Sequence, residues 1–459
     1  MIKFARFFCV LLLFALVISG CNFNTEAPLS QANDLKNSSV DDSVFSESTT
    51  DSQGFQSVSE SEIPEESLPE EPIVPEDIRV SFMACPDNLV HHSMYYDAIE
   101  KAAEKNGTTP KYTDLHNNSF DFSPIYRFIA EDIKNTDISY INQESLIGGP
   151  EYPISAYPRF NTPDAMGHTV ADLGFDVVNL AHNHVLDSRN TDFLKYSYNL
   201  FNSRGVEVLG YYPNEKATED ILIIERKGIK VAFLTYTYGT NGHTNKDDFV
   251  IPYFEKELIE KQVAIAKEKA DLIVVSCHWG HEYTYKPNSM QKENAKYLCE
   301  LGVDVIVGMH PHCIQPMEWM TNENGHKTLV TYSLGTMVSG IRKGMSTLAG
   351  ILTFDIVKNG ESGEIYIDTP LFIPTVAHYT RGRSVADNDS GSRNFTIYPL
   401  ADYTQEIAKE HSLVRAEKKD GTTLIGGGFS RETLLKTVRE NIPQEFLPDL
   451  KDGYQGETE

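Results

Sequence analysis

In this 459-residue sequence, five successive short apolar runs end in side chains that can bind metal ions or transfer protons. One polar residue after a strand is common, but five consecutive endings of this kind predict a shared site. The carboxyl ends of neighbouring parallel strands meet at one edge of a sheet, where α/β proteins place their chemistry. The residues are Asp87 and Asn88; Asn142, Gln143 and Glu144; His182, Asn183, His184 and Asp187; His278, His281 and Glu282; and His310 and His312.

These residue types favour metal-assisted hydrolysis. Carboxylate oxygens, histidine nitrogens and an asparagine oxygen form a mixed ligand set, which suits Mn, Fe or Zn better than metals that prefer thiolates. One or two divalent ions in such a site acidify bound water and neutralise charge on a phosphoryl or acyl oxygen. A nearby histidine can then protonate the leaving group, a contribution that is typically ~10²–10⁴-fold in rate.

The segment "NLAHNHVLD", residues 179–187, holds the densest group of these side chains. Asn183 lies between two histidines directly after an apolar run, a pattern that metal-assisted hydrolysis can use. His182 is either a substrate contact or a surface residue. Asp187 either orients His184 or caps the following turn. The sequence leaves both alternatives open.

The elements that must position these residues alternate between strands and helices. The apolar runs "RVSFMAC", "DISYINQ", "DVVNLA", "DLIVVSC" and "VDVIVG" predict buried strands of an α/β fold with a largely parallel sheet. "ILIIERKGIKVAFLTYT" predicts a hairpin that turns at Lys227-Gly228, and later strands indicate a second, more antiparallel sheet. After about Thr375 the sequence is polar and irregular. Helices are predicted over Ser123–Lys134, Pro163–Leu173, Thr191–Ser203, Phe254–Lys269 and Ser289–Leu301.

Strand alternation also separates core residues from candidate ligands. Cys277 neighbours His278, and because neighbours in a strand point to opposite faces, Cys277 is expected in the core. His310 and His312 are expected to alternate onto one face around Pro311. A solvated turn is expected for His91 and His92. The apolar flanks of Cys85, Cys277, Cys299 and Cys313 predict buried thiols rather than disulfides or a thiolate zinc site.

The first residues, "MIKFARFFCVLLLFALVISGC", predict a secretory signal over residues 1–20. Ile18-Ser19-Gly20-Cys21 resembles a bacterial lipobox, which implies that Cys21 is lipidated and anchors the chain at the extracytoplasmic face of the cell membrane. The alternative is an ordinary signal peptide or short anchor in which Cys21 is incidental. No later run approaches the ~20 apolar residues of a transmembrane helix.

Residues 21–77 are predicted to form a disordered acidic tether, rich in Ser, Glu and Pro. Between residues 22 and 77, fourteen acidic residues stand against the single Lys36, so the tether carries about half of the net charge of −26. A segment with so few apolar residues buries too little surface to offset its ordering entropy. No basic stripe indicates a nucleic-acid partner.

Six segments stand in a fixed order along the chain: "SFMACPDNLVH", "YINQESLIGG", "VNLAHNHVLD", "VVSCHWGHEY", "VGMHPHCIQPME" and "TYSLGTMV". In this order they resemble the CapA (poly-γ-glutamate synthesis, PGA-cap) family of bacterial capsule-synthesis proteins, whose fold is similar to that of calcineurin-like metallophosphoesterases. The resemblance implies an α/β/β/α sandwich over residues 78–375, with residues 376–459 expected as a C-terminal extension packed on or trailing it.

The resemblance also implies roles for individual residues. Glu144 stands where the phosphoesterases place a bridging carboxylate, and His184 stands where they keep a histidine for substrate and leaving group, with Asp187 beside it. The implied metal ligands are Asp87, Glu144, Asn183, His278, His310 and His312.

Two departures from the family pattern leave the number of metal ions, one or two, open. Phosphoesterases usually carry Asp-x-His at the first strand end, but this sequence has Asp87-Asn88-Leu89. His91 supplies the missing ligand only if the chain turns back. Thr336 stands where the family commonly has Asn.

The function implied by the resemblance is a lipid-anchored, metallohydrolase-like protein of capsule synthesis or cell-envelope polymer processing. Its partner would be an anionic polymer, either poly-γ-glutamate or a phosphate-containing glycan, together with other capsule-synthesis proteins. The alternative is a non-catalytic polymer-binding or assembly component that uses the same pocket.

Overall fold

The protein is described here by a computed structural model that covers residues 75–415 and 424–450. The predicted signal over residues 1–20, the predicted lipidation site Cys21 and nearly all of the predicted tether lie outside the described residues. In the part that is described, no helix combines the length and the apolar character needed to cross a membrane.

Strands and helices alternate in the first two thirds of the described chain, and strands dominate afterwards. The strands are β1 (Ile78–Leu89), β2 (Ile138–Asn142), β3 (Val177–Asn179), β4 (Glu207–Leu209), β5 (Leu222–Arg226), β6 (Ile229–Thr237), β7 (Leu272–His278), β8 (Val305–Met309), β9 (Ile314–Thr321), β10 (Lys327–Leu334), β11 (Thr336–Ser339), β12 (Leu348–Lys358), β13 (Ile365–Arg381) and β14 (Ser392–Pro399). The α-helices are α1 (His92–Asn106), α2 (Ala130–Lys134), α3 (Asp164–Asp172), α4 (Asp192–Asn202), α5 (Lys256–Lys269), α6 (Ser289–Glu300), α7 (Gln405–Glu410) and α8 (Arg431–Asn441).

The strands form two mixed sheets. The first is eight-stranded, in the order β14-β13-β12-β1-β2-β3-β4, with β11 also paired to β1. Its half from β1 to β4 is parallel, and β12 to β14 are antiparallel. The second is six-stranded, in the order β5-β6-β7-β8-β10-β9, with a parallel centre and an antiparallel strand at each edge. The mixed α/β fold with two sheets is therefore confirmed.

Two sheets were expected, but the five apolar runs that were expected to share the largely parallel sheet are divided between both. β1, β2 and β3 lie in the first sheet, whereas β7 and β8 lie in the second. The chain passes from the first sheet to the second at the β5–β6 hairpin, and β6 then pairs with β7. The predicted turn at Lys227-Gly228 is confirmed, with φ values of 53° and 78° that suit a two-residue hairpin turn.

Apolar side chains fill the space between the sheets and the space behind the second sheet. Phe82 of β1 stacks on Phe233 of β6 at 6.2 Å between ring centroids, and the Tyr140 hydroxyl lies 2.7 Å from Ser276 Oγ. Behind the second sheet, α5 and α6 bury apolar residues against β6 and β7. The four cysteines within the described residues are free and buried, as the sequence predicted.

The chain after Thr375 is more regular than its sequence suggests. β13 runs through that position to Arg381, so the expected boundary after residue 375 falls inside a strand. Pro370 and Pro374 interrupt the alternation that would reveal a strand. The pairing register between β12 and β13 shifts near Pro370, where Thr369 has φ 46°. A bulge at this point accommodates the N–H that proline lacks.

Candidate metal centre

The six predicted metal ligands converge between the two sheets, at the carboxyl ends of their parallel strands. Each is buried, with at most 3% of its surface exposed. Asp87 lies in β1 at a break in register, and His278 is the last residue of β7. The other four, Glu144, Asn183, His310 and His312, follow β2, β3 and β8.

The candidate ligand atoms form two groups that share Glu144. One group is Glu144, His278 and His310, and the other is Asp87, Glu144 and His312; within each, the ligand atoms all lie within 4.8 Å of one another. Glu144 Oε1 lies 3.7 Å from His278 Nε2 and 3.6 Å from His312 Nε2. Asn183 Oδ1 lies 3.0 Å from His278 Nε2 and so joins the first group.

Unsatisfied polar atoms show that these residues fit a divalent cation. Both carboxylate oxygens of Glu144, Nδ1 of His278 and Nδ1 of His310 are buried without a hydrogen-bond partner, although buried polar atoms are rarely left unpaired. Burial, and then the nearby charge of Asp87, raises the pKa of Glu144 well above its usual range. Burial lowers the pKa of His278 and His310. A bound cation would neutralise the carboxylates and accept the histidine lone pairs, which satisfies the whole set.

The turn that carries His310 and His312 has an unusual backbone. Their φ values are 93° and 52°, in the left-handed region that costs residues other than glycine roughly 1–2 kcal/mol. The ligand nitrogens of His310 and His312 lie within 4.8 Å of each other, although β8 ends at Met309 and both residues lie in a turn rather than in the strand. The His310 N–H instead donates to Asp87 Oδ2 at 3.1 Å, which joins this turn to the first sheet.

Three polar residues outside the predicted set hold the ligands in place. Asn142 donates to Asp87 Oδ1 at 2.7 Å, and Asn179 donates to Asn142 Oδ1 at 2.7 Å. Thr336 Oγ1 lies 3.1 Å from His312 Nδ1. The sequence signal for the two asparagines was present, since each is the final residue of an apolar strand. Thr336 was noticed only as a departure from the family pattern.

His184 and Asp187 form a buried pair next to the ligands. His184 Nδ1 lies 2.9 Å from Asp187 Oδ2, and that oxygen also accepts the N–H of Phe160 at 2.8 Å. Asn241 lies in the loop after β6, with Nδ2 3.4 Å from His184 Nδ1 and with Oδ1 accepting from Asn183 at 3.1 Å. Of the two alternatives for Asp187, the structure places its carboxylate beside the imidazole. The catalytic roles of both residues stay predictions.

His182 lies inside the centre and not on the surface. Its side chain is fully buried, its Nδ1 accepts the His184 N–H at 3.2 Å, and its ring lies 6.0 Å from that of His278. Burial lowers the pKa of His182 well below its usual value. The neutral imidazole faces the ligand histidines with Nε2 unpaired.

Neither Asn88 nor His91 supplies the ligand that is missing from the first strand. The Asn88 amide bonds to Gln143 and to the Tyr126 hydroxyl at 2.7 and 2.9 Å. His91 is half-buried and precedes α1, with Nδ1 3.1 Å from Leu89 O and 3.3 Å from the Gly340 N–H. The expected solvated turn at His91 and His92 is therefore wrong. Burial lowers the pKa of His91 to about 4.

The comparisons with known proteins agree with the order of the motifs. The model of the family described as "Bacterial capsule synthesis protein PGA_cap" matches residues 81–341. The chain is 30% identical over 227 residues to a PGA biosynthesis protein CapA of Bacillus subtilis, covering 47% of this chain and 58% of that protein. It is 28% identical over 240 residues to a capsule biosynthesis protein CapA of Bacillus anthracis, covering 48% and 55%. The chain thus spans a little over half the length of these relatives.

Two solved structures resemble the chain only distantly. One is described as a novel phosphatase from Mycoplasma pneumoniae, with a TM-score of 0.37, 11% identity, and coverage of 65% of this chain and 94% of that one. The other is a hypothetical protein from Thermus thermophilus, with a TM-score of 0.35, 16% identity, and coverage of 65% and 99%. The family match runs from β1 to the residues just after β11, and the chain belongs to the bacterial capsule synthesis protein family PGA_cap.

Proposed function

We propose that this protein is a metal-dependent hydrolase of capsule synthesis that acts on an anionic cell-envelope polymer, either poly-γ-glutamate or a phosphate-containing glycan. Family membership and the printed names of the Bacillus relatives support the capsule assignment. The arrangement of the buried cluster supports the hydrolase assignment. Other capsule-synthesis proteins are its proposed partners.

The observation that carries the proposal is the position of Glu144. Its carboxylate is fully buried, forms no hydrogen bond, and lies between His278 and His312 at 3.7 and 3.6 Å. A structural carboxylate would be paired with donors at hydrogen-bond distance. A carboxylate that would hold a divalent cation together with His278 and His312 has this environment, without hydrogen-bond donors of its own.

The chemistry that this chain's own residues contribute centres on His184. Asp187 accepts a hydrogen bond from the Nδ1–H of His184, and this bond fixes the orientation of the ring. Nε2 of His184 is then left to give a proton to the leaving group. Asn241 and the Phe160 N–H hold this pair in place. A bound divalent cation would supply acidified water and neutralise charge on the scissile phosphoryl or acyl group.

Metal content and turnover measured on the same variants test this function. In the purified full chain, His278→Ala and His310→Ala should lose most bound Mn, Fe or Zn. His184→Ala should keep the metal and lose ~10²–10⁴-fold in turnover, because it removes only the proton donor. His116→Ala, at an exposed position outside the cluster, should change neither quantity. The proposal fails if the wild-type protein from metal-replete medium contains none of these metals.

The proposed location is the extracytoplasmic face of the cell membrane, through a lipid on Cys21. The lipobox-like Ile18-Ser19-Gly20-Cys21 supports it. Cys21→Ser should leave the precursor uncleaved or release the protein from the membrane fraction. Unchanged processing and unchanged membrane retention in a fractionation experiment would contradict lipid anchoring.

A second candidate function, non-catalytic polymer binding or assembly, is favoured by one observation. Leu89 stands where the phosphoesterase pattern has its histidine, and Asn88 bonds to Gln143 and Tyr126, so the group around Asp87 and His312 lacks that ligand. Metal that is retained without turnover on either polymer would support this function.

A further inference from the structure

The two ligand groups that share Glu144 are unequal. The first has Glu144, Asn183, His278 and His310 around it, a full set of four. The second has only Asp87, Glu144 and His312. Asn88 bonds to Gln143 and Tyr126, and among the described residues no group of candidate ligand atoms includes His91, so neither residue completes the second group. A fourth ligand must come from another part of the chain if this position is to hold an ion firmly.

Glu282 brings a carboxylate from the solvent side to one histidine of each group, His310 of the first and His312 of the second. One of its oxygens lies within 4.8 Å of the ligand nitrogens of both His310 and His312. Its charge is also among the causes that raise the pKa of the buried Glu144 and of Tyr238. The side chain itself is exposed, so it occupies the open side of a cluster whose other members are buried.

The loop that carries Glu282 is hydrogen-bonded to the turn that carries His310 and His312 and to the residues that follow it. The Tyr283 N–H donates to Pro311 O at 2.8 Å, and the carbonyl of Thr284 accepts from Gln315 Nε2 at 2.8 Å and from Cys313 Sγ at 3.1 Å. The loop therefore cannot move away from His310 and His312 without breaking three contacts.

Tyr283 adds a conformational argument. Its φ of 60° is rare for a bulky residue, and strained residues of this kind cluster at functional sites. The Lys343 ammonium lies 3.7 Å from the centre of the Tyr283 ring, which in turn lies 6.0 Å from the His312 ring. The strained backbone and the stacked lysine hold Glu282 beside the cluster.

We propose that Glu282 is a metal ligand that replaces the histidine missing from the first strand and completes a second ion position with Asp87, Glu144 and His312. This inference rests on the metal centre of the proposed function. It resolves the number of ions as two, since the second position then has four protein ligands. A carboxylate in place of an imidazole adds an oxygen ligand, which favours hard ions such as Mn²⁺.

Mn²⁺ titration of the chelator-stripped full chain by calorimetry tests the role of Glu282. The wild type should bind two Mn²⁺. Glu282→Gln, which keeps the size of the side chain and removes its charge, should retain one site and weaken the other by roughly tenfold or more. Glu282→Asp should recover part of the loss. The melting temperature of the stripped Glu282→Gln protein should equal that of the stripped wild type, because the side chain is exposed.

Glu323→Gln provides the matched control. Glu323 is an exposed glutamate between β9 and β10, at the end of β9 far from the ligand turn, so the same loss of charge should leave both Mn²⁺ sites unchanged. Two sites of unaltered affinity in Glu282→Gln would overturn the role of Glu282, as would a single site in the wild type. A wild type that binds no Mn²⁺, Fe²⁺ or Zn²⁺ would instead overturn the proposed function itself.

Discussion

At the scale of single residues, the centre depends on side chains that hold the ligands as much as on the ligands themselves. Thr336 Oγ1 and Asp87 Oδ2 both lie close to His312 Nδ1, at 3.1 and 3.4 Å. Partners of this kind fix the orientation of a ligating imidazole and raise its basicity. His312 needs such support because its left-handed backbone conformation, with φ 52°, is strained.

Thr336→Val should therefore weaken metal binding without disturbing the sheet. The substitution keeps the shape of the side chain and removes the hydroxyl next to His312, so we expect Mn²⁺ affinity to fall by roughly 10-fold or more. Calorimetric titration measures this change. Thr328→Val is the control, because Thr328 donates a buried hydrogen bond to Val303 at the other end of β10. Equal loss of affinity in both variants would contradict a specific role for Thr336.

At the scale of elements, the centre exists because parallel strands from two different sheets end at the same place. β8 must lie close to β10 for its final residues to bring His310 toward Asp87. Gly308 permits this approach: a Cβ at that position would lie 2.1 Å from Tyr332 O and 2.5 Å from Thr331 O. The contact is with backbone atoms of the neighbouring strand, which cannot rotate away as a side chain would.

Gly308→Ala should lower both the stability of the second sheet and metal affinity. Overpacking against backbone typically costs about 1–3 kcal/mol, and here the displaced strand is the one that leads into His310. Denaturant unfolding and Mn²⁺ titration measure the two effects. Gly239→Ala is the control, since a Cβ there would meet no atom within 4 Å. A Gly308→Ala protein with wild-type stability would show that β8 and β10 can separate freely.

At the scale of the whole molecule, a second group of buried histidines joins the C-terminal region to the first sheet. His378 of β13 lies 2.8 Å from the Tyr403 hydroxyl, and His411 Nε2 lies 3.2 Å from the carbonyl of Ala377. The two rings are 5.4 Å apart. Burial lowers the pKa of His378 to about 4 and that of His411 to about 3, so the native state holds both residues neutral.

The protein should consequently lose stability in mild acid. In the unfolded chain these two histidines take up protons below a pH of about 6.5. In the native state His378 is protonated only below about pH 4 and His411 only below about pH 3, because burial lowers the pKa of each. The free energy of unfolding should therefore decrease as the pH falls through this window, by up to about 1.4 kcal/mol per pH unit for each histidine. Above pH 6.5 the contribution is complete.

Denaturant unfolding of the chelator-stripped protein at several pH values measures this slope. His378→Gln should reduce the slope between pH 6 and pH 4, even though it also lowers stability at pH 7. His168→Gln changes an exposed histidine of α3 and serves as the control. Parallel stability curves for the wild type and His378→Gln would contradict the role of buried His378.

The sequence by itself determined which side chains are available to the centre and the type of element that carries each one. Asp87, Glu144 and His278 each follow or end an apolar run, and that local pattern is sufficient to predict a strand with a polar end. The turn at Lys227-Gly228 was predictable because a glycine between two short apolar runs marks a hairpin. The order of motifs also indicated the family.

Only the tertiary structure decided how these side chains meet. The hydrogen bond from His310 to Asp87 spans 223 residues and that from Asn142 to Asp87 spans 55, and no local pattern encodes such pairings. The left-handed turn at His310 and His312 likewise depends on contacts with other strands, which outweigh the cost of the strained backbone. In the sequence, Glu282 was one of several polar residues after the apolar run that leads to His278. Glu282 lies beside His310 and His312 because the neighbouring Tyr283 N–H donates to the carbonyl of Pro311. Long-range packing, and not residue type, sets that position.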